Sequence, residues 1–191
     1  MIENLIEIDK QIFIFLNNLG SETWDFFWLF LSNRMVMFCI IMLFVIYHCY
    51  KIEIKKSFFI ISFFIICLGI TDFLHVLLFK NLFMRLRPCW ETDIVSQIRP
   101  LLLDCGGQYG FISGHAANSA AMVTFLIYSF KNMNKFLKYI LLIWVLFVSY
   151  SRIYLAKHYP LDIVVGIAFG CLIGVLTFNI YQIYLNQKNS K

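Results

Sequence analysis

Long apolar runs, broken at intervals by short polar clusters, set the outline of this chain. Five of them, at about 30–48, 57–79, 113–130, 136–152 and 160–184, approach the ~20 residues that an α-helix needs to cross a bilayer. The expected fold is therefore all-α, a membrane-integral bundle of about five transmembrane helices. Residues 1–29 are apolar too, but Asn17, Asn18, Gly20, Ser21, Glu22 and Asp25 interrupt them every turn or so. With Trp24 and Trp28 available as interfacial anchors, this segment reads as amphipathic helices lying in the membrane surface; a sixth span is the alternative. Several spans use up most of 191 residues, so one domain, 1–191, is expected, with its catalytic core at 57–184.

Composition agrees with this outline. The chain is 61% hydrophobic and 14% charged, with a mean hydropathy of +0.77, above what a soluble domain carries. The net charge of +5 does not indicate nucleic acid, because the basic residues are scattered between apolar runs and form no stripe or arm. They mark topology instead. "KIEIKK", "KNMNKFLK" and the tail "NQKNSK" hold eight lysines and one glutamate, which assigns those connections to the cytoplasm. The N-terminal segment, the loop from Lys80 to Ile112 and the turn at His158 then share the opposite face. In a bacterium that face is the periplasmic side of the inner membrane. The opening "MIENLIEIDK" lacks a basic n-region, so no cleavable signal peptide is expected and the first span should target the chain.

On that outer face three polar clusters coincide: "KNLFMRLRP", "GFISGHAAN" and "SRIYLAKHYPLD". Single basic residues at span ends are commonly snorkelling anchors. Two histidines beside them need another reason, and phosphoryl transfer supplies one. A phosphate ester in reaction spreads charge over three oxygens, which must be held while attack and departure occur on opposite sides. Lys80, Arg87 and Arg152 offer the cations, the arginines with bidentate geometry. Ser113 and Gly114 open a helix whose free N–H groups favour an anion. His158 and Asp162 are four apart, with Pro160 suited to a first helical turn, so the carboxylate can orient the imidazole as a nucleophile. His115 can protonate the leaving oxygen and later activate water. No further cluster of His, Asp and Glu has metal-ligand spacing, and neither metal nor cofactor is expected.

Written out, these segments are K-x6-R-P (Lys80 to Pro88), S-G-H (Ser113 to His115) and S-R-x5-H-x3-D (Ser151 to Asp162), in that order. The chain resembles the type 2 phosphatidic acid phosphatase family, integral-membrane lipid phosphatases whose catalytic core is shared with vanadium-dependent haloperoxidases. The resemblance covers about residues 57–184. It implies that Lys80, Arg87, Ser113, Gly114 and Arg152 bind phosphate, that His115 is the acid, and that His158 attacks phosphorus, oriented by Asp162, without a metal. It also implies a membrane lipid phosphate as partner: undecaprenyl diphosphate, phosphatidylglycerol phosphate, phosphatidic acid or a phosphate of lipid A. The polyprenyl diphosphate and lipid A fit the external face best. Ile112 stands where the family has proline and Ala156 where it has glycine, so the loop backbones of the pocket depart from the pattern. A catalytically silent lipid-phosphate binder or transporter is the rival reading, and the intact histidine pair speaks against it. A haloperoxidase would leave five apolar spans without a purpose.

Other residues take quieter roles. His75 and His48 are expected to pack or snorkel, and Asp72 to make a structural hydrogen bond, with His75 as one candidate partner. Arg85 and Arg99 either line the substrate mouth or face water. "CGGQYG" reads as a hinge before Ser113, and Gly166, Gly170 and Gly174 as a smooth strip for close helix packing. Cys39, Cys67 and Cys171 pack as small hydrophobes, and Cys49 falls at a span end. Cys89 and Cys105 flank one loop, leaving a bridge and two free thiols both open.

Overall fold

The computed structural model describes residues 2–99, 101 and 105–189; the end of the "NQKNSK" tail, Lys191 included, lies outside them. Among the described residues the chain is helical, with a single isolated bridge between Leu86 and Tyr109. Helices α1 (Ile2–Asn18) and α2 (Glu22–Ser32) lead into α3 (Arg34–Cys49) and α4 (Ile54–His75). A π-turn at Val76–Lys80 and a short α5 (Asn81–Phe83) prolong α4 until Met84, at φ 44°, ends the run. After an irregular loop come α6 (Gly114–Ser129), α7 (Lys135–Tyr154) and α8 (Pro160–Asn189).

Among the described residues, three helical runs are long and apolar enough to cross a membrane: Ile54–Phe83, Lys135–Tyr154 and Pro160–Lys188. The pair α2 and α3 makes a fourth if counted together, although it bends by 64°. The apolar pattern runs straight through that bend and suggested one helix from residue 30. Asn33 interrupts it: its side-chain oxygen accepts from the N–H groups of Met35 (2.9 Å) and Val36 (3.3 Å), an N-cap that starts α3 afresh. At 16 residues each, α3 and α6 are shorter than those three runs.

Around the bundle's waist Leu43, Phe58, Ile65, Phe73, Leu146 and Ile180 are exposed, as lipid-facing positions should be. Inside, α6 is the central post. Met37, Ile41, Val45 and Cys49 of α3 form one stripe against the core that also holds Phe64, Phe125 and Val148. A second core at the other end joins Phe13 of α1 to Ile94, Ala116, Ile153, Tyr159 and Ile163.

The closest packing is between α6 and α8, and the glycines explain it. A Cβ on Gly170 would lie 2.1 Å from the Ala117 carbonyl oxygen, and one on Gly174 2.7 Å from that of Ala121. Gly166 meets the Ser113 carbonyl oxygen in the same way at 2.9 Å. Small residues every fourth position thus let the two backbones touch, which in lipid replaces much of the hydrophobic drive. Gly170→Ala should therefore lower the melting temperature in detergent, by about 1–3 kcal/mol of overpacking. Gly69→Ala, whose Cβ meets nothing within 4 Å, serves as the control and should be neutral or slightly stabilising.

Candidate active site

The three clusters converge at one end of the bundle, because α4 ends there while α6 and α8 begin and α7 terminates. Ser113 caps α6, its hydroxyl accepting from Ala116 N–H at 3.5 Å. The Ser113 N–H in turn donates to the Asp162 carbonyl at 3.0 Å, tying the starts of α6 and α8 together. Gly114 is required by close approach, since His75 Nε2 sits 2.7 Å from where a Cβ would stand. His75, set aside in the sequence, is buried against the start of α6, its Nδ1 at 3.2 Å from the Thr71 carbonyl.

Pro160 occupies the first position of α8 with Asp162 in the first turn, and His158 lies in the connection just before them. His158 is 2% exposed and Asp162 fully buried. The His158 Nδ1 lies 3.5 Å from Asp162 Oδ2, an ion-pair distance but longer than a well-formed hydrogen bond. That carboxylate also accepts from Tyr159 N–H at 3.0 Å and from Arg85 Nη1 at 2.9 Å. Burial, and then the charges of Arg152, Arg87 and Lys80, hold the His158 imidazole well below its ordinary value. A backbone hydrogen bond with Gly110 acts in the opposite direction.

Three cations act on this ring electrostatically. Arg152 is buried at the end of α7 and touches the Ser32 hydroxyl. Arg87 is buried as well, with Nη1 donating to the Cys105 carbonyl at 2.8 Å and Nε to that of Tyr109 at 3.4 Å. The "CGGQYG" loop is thus held on Arg87, and Gly110 N–H donates to the Arg85 carbonyl at 2.8 Å. Cys89 and Cys105 form a disulfide that closes this loop. Lys80, at the end of the π-turn, acts electrostatically on His158 and is itself acted on by Arg87, Arg152 and Arg34. His115 is within range of the charges of His158 and Arg152, and its Nε2 lies 3.0 Å from the Ser32 carbonyl. All eight residues marked out by the motifs are therefore gathered in one place. Among the described residues, no three His, Cys, Asp or Glu side chains come together as metal ligands.

Several participants were missed in the sequence, and most belong to the N-terminal segment, which the motifs left outside the catalytic set. Asp9 accepts from Arg85 at 2.6 Å and from Leu161 N–H at 2.9 Å, so Arg85 bridges two buried carboxylates and stacks on Tyr159 at 4.1 Å. Asn17 donates to the carbonyls of Ile153 and Tyr154, both at 3.0 Å, and accepts from Arg99 N–H at 2.7 Å. Arg99 grips both oxygens of Asp25 at 2.8 and 2.6 Å. Ser32 reaches His115 and Arg152, and Arg34 adds a cation at the rim. Asn17 and Asp25, read as interruptions of an apolar helix, are the contacts that dock it. Asp72 accepts from Asn118 Nδ2 at 2.9 Å, with His75 at 3.9 Å.

Comparison with known proteins matches residues 58–185 to the PAP2 superfamily. A lipid A 4'-phosphatase of Porphyromonas gingivalis is 31% identical over 179 residues, which is 94% of this chain and 75% of that one. A lipid A 4'-phosphatase of Bacteroides thetaiotaomicron is 30% identical over 181 residues, 89% of this chain and 75% of that one. Two crystal structures share the fold. Aquifex aeolicus LpxE superposes with a TM-score of 0.63 at 20% identity, over 88% of this chain and 93% of the other. A PAP2-type phosphatidylglycerolphosphate phosphatase from Bacillus subtilis gives 0.71 at 18% identity, over 94% and 87%. The family match takes in two thirds of the chain and includes every motif residue gathered above, so the chain belongs to the PAP2 superfamily.

Proposed function

We propose that this integral membrane protein is a lipid phosphatase that removes the 4'-phosphomonoester of lipid A, through a phosphohistidine and without a metal. The observation that carries the reaction is the buried His158, 3.5 Å from the Asp162 carboxylate and in the field of Lys80, Arg87 and Arg152. The two relatives named as lipid A 4'-phosphatases support the substrate.

In this reading the phosphate enters the ring of cations and meets the N–H groups at the start of α6. Asp162 draws closer to His158 Nδ1 as charge develops, since catalytic hydrogen bonds are often long in the free enzyme. His158 Nε2 forms a bond to phosphorus as the bond to the leaving oxygen breaks, and His115 gives that oxygen its proton. His115, now neutral, takes a proton from water. The water oxygen bonds to phosphorus, the P–N bond breaks, and phosphate and both imidazoles are restored. The cations do the charge stabilisation that a metal supplies elsewhere.

We place five helices, α3, α4, α6, α7 and α8, across an inner membrane, with α1 and α2 in the interface on the periplasmic side. The lysine-rich connections support that orientation. Since the site lies at span ends, a lipid can present its head group without leaving the bilayer.

The test is phosphate release by purified protein, chelator present, from lipid A, undecaprenyl diphosphate, phosphatidylglycerol phosphate and phosphatidic acid. Lipid A should lose its 4'-phosphate with kcat/KM about tenfold or more above the others. A preference for another lipid overturns the substrate, loss of turnover with chelator overturns metal independence, and binding without release from any lipid favours the silent binder.

A further inference from the structure

A cavity of about 700 Å³ lies away from the catalytic site. It opens at the opposite end of the bundle, where α3, α6 and α8 finish and α4 and α7 start. Lys51, Lys56 and Lys131 stand at its rim, and no acidic side chain pairs with any of them among the described residues. Ile52, Leu137 and Leu185 supply apolar wall. Two residues that line it, Ser129 and Tyr181, are 9% and 1% exposed, and their hydroxyls are buried beside it with no hydrogen-bond partner.

Lys51 and Lys131 follow the C-termini of α3 and α6 and offset the exposed carbonyls there, whereas Lys56 lies in the first turn of α4, where the helix dipole disfavours it. Helix ends thus account for two of the charges but not for Lys56 or the open volume, nor for two unpaired buried hydroxyls, which cost free energy unless something accepts from them. An acceptor-rich anion with an apolar body satisfies all three features. The volume lies in the range of pockets that hold a ligand of several hundred daltons, and lysine-rich pockets between helix ends at the membrane boundary suit phospholipid head groups. A free anion has no use for the apolar wall.

We propose that this cavity binds an anionic glycerophospholipid of the leaflet opposite the catalytic site. Lys56 and Lys131 meet the phosphate, Ser129 and Tyr181 donate to phosphate or ester oxygens, and the first acyl carbons lie on Ile52, Leu137 and Leu185. Lys51 is less committed, since its Nζ donates to the Tyr47 hydroxyl at 2.6 Å and lies over that ring.

The probe is phosphatidylglycerol, titrated onto detergent-solubilised full-length protein by native mass spectrometry, with phosphatidylcholine in parallel and vanadate present to fill the catalytic anion site. The expected result is one phosphatidylglycerol retained about tenfold or more tightly than phosphatidylcholine. Lys56→Gln and Lys131→Gln should each weaken it by about fivefold. Tyr181→Phe keeps the ring and should weaken retention severalfold, with phosphate release from the catalytic end unchanged. Equal retention of the two lipids, unaltered retention in all three variants, or full competition by millimolar inorganic phosphate would each overturn the proposal, the last by reducing it to a free-anion site.

Discussion

Replacing His158 with alanine is expected to lower phosphate release by about four orders of magnitude or more, with the protein still folded. The size of the loss follows from the role. A residue that forms the bond to phosphorus has no substitute in its own absence, whereas a residue that only binds an anion shares that work with others. His158 lies 3.5 Å from the Asp162 carboxylate and in the field of three cations. Burial and those cations hold its protonation down, against a backbone hydrogen bond with Gly110. Alanine leaves a void next to the fully buried Tyr159, so some stability is lost as well. His158→Gln, which fills the space without a nucleophile, separates the two effects: it should be as inactive as alanine while melting closer to the wild type. Turnover within tenfold of wild type in either variant removes His158 from the reaction.

The second large effect is expected at Asp162. Asp162→Asn should reduce kcat/KM by about a thousandfold or more, as when the orienting carboxylate of a catalytic triad loses its charge. The amide can still accept from Tyr159 N–H, so the fold should survive. Arg85→Ala should cost less, about tenfold, because Tyr159 N–H and His158 remain to position the carboxylate. Its larger cost is to stability. Arg85 lies between Asp9 and Asp162, both buried, and deleting it leaves two carboxylates facing each other without a cation. Asp9→Asn combined with Arg85→Gln should therefore melt above Arg85→Ala. Activity assays and thermal melts on the four proteins check both statements. A fully active Asp162→Asn enzyme contradicts the orienting role.

These residues also mark where the sequence could be read and where it could not. Lys80, Arg87, Ser113, Gly114, His115, Arg152, His158 and Asp162 were legible because each lies in a short segment whose internal spacing is fixed by a helix start or end. Arg85 sat inside the first of those segments, as one cation among several. Its partner Asp9 is 76 positions away, and no local pattern connects them. Asn17 and Ser32 contact residues more than 80 positions distant for the same reason. Polar residues in an apolar helix signal either water or a buried partner, and the sequence does not say which. Asn33 is a different case: its cap is a local contact, but the hydrophobic period on both sides of it matched a continuous span. The orphan hydroxyls of Ser129 and Tyr181 carry no sequence signal, because only packing decides whether a hydroxyl finds a partner.

The account rests on a two-step transfer through one imidazole. The most direct measurement uses the His115→Ala variant and a phosphorus-labelled aryl phosphate, whose leaving group needs no proton, quenched on the millisecond scale. With no histidine to activate water, label should accumulate on the protein to about one per chain, in an acid-labile form that maps to His158. Release of labelled phosphate with no protein-bound label at any time, or label on another residue, contradicts it.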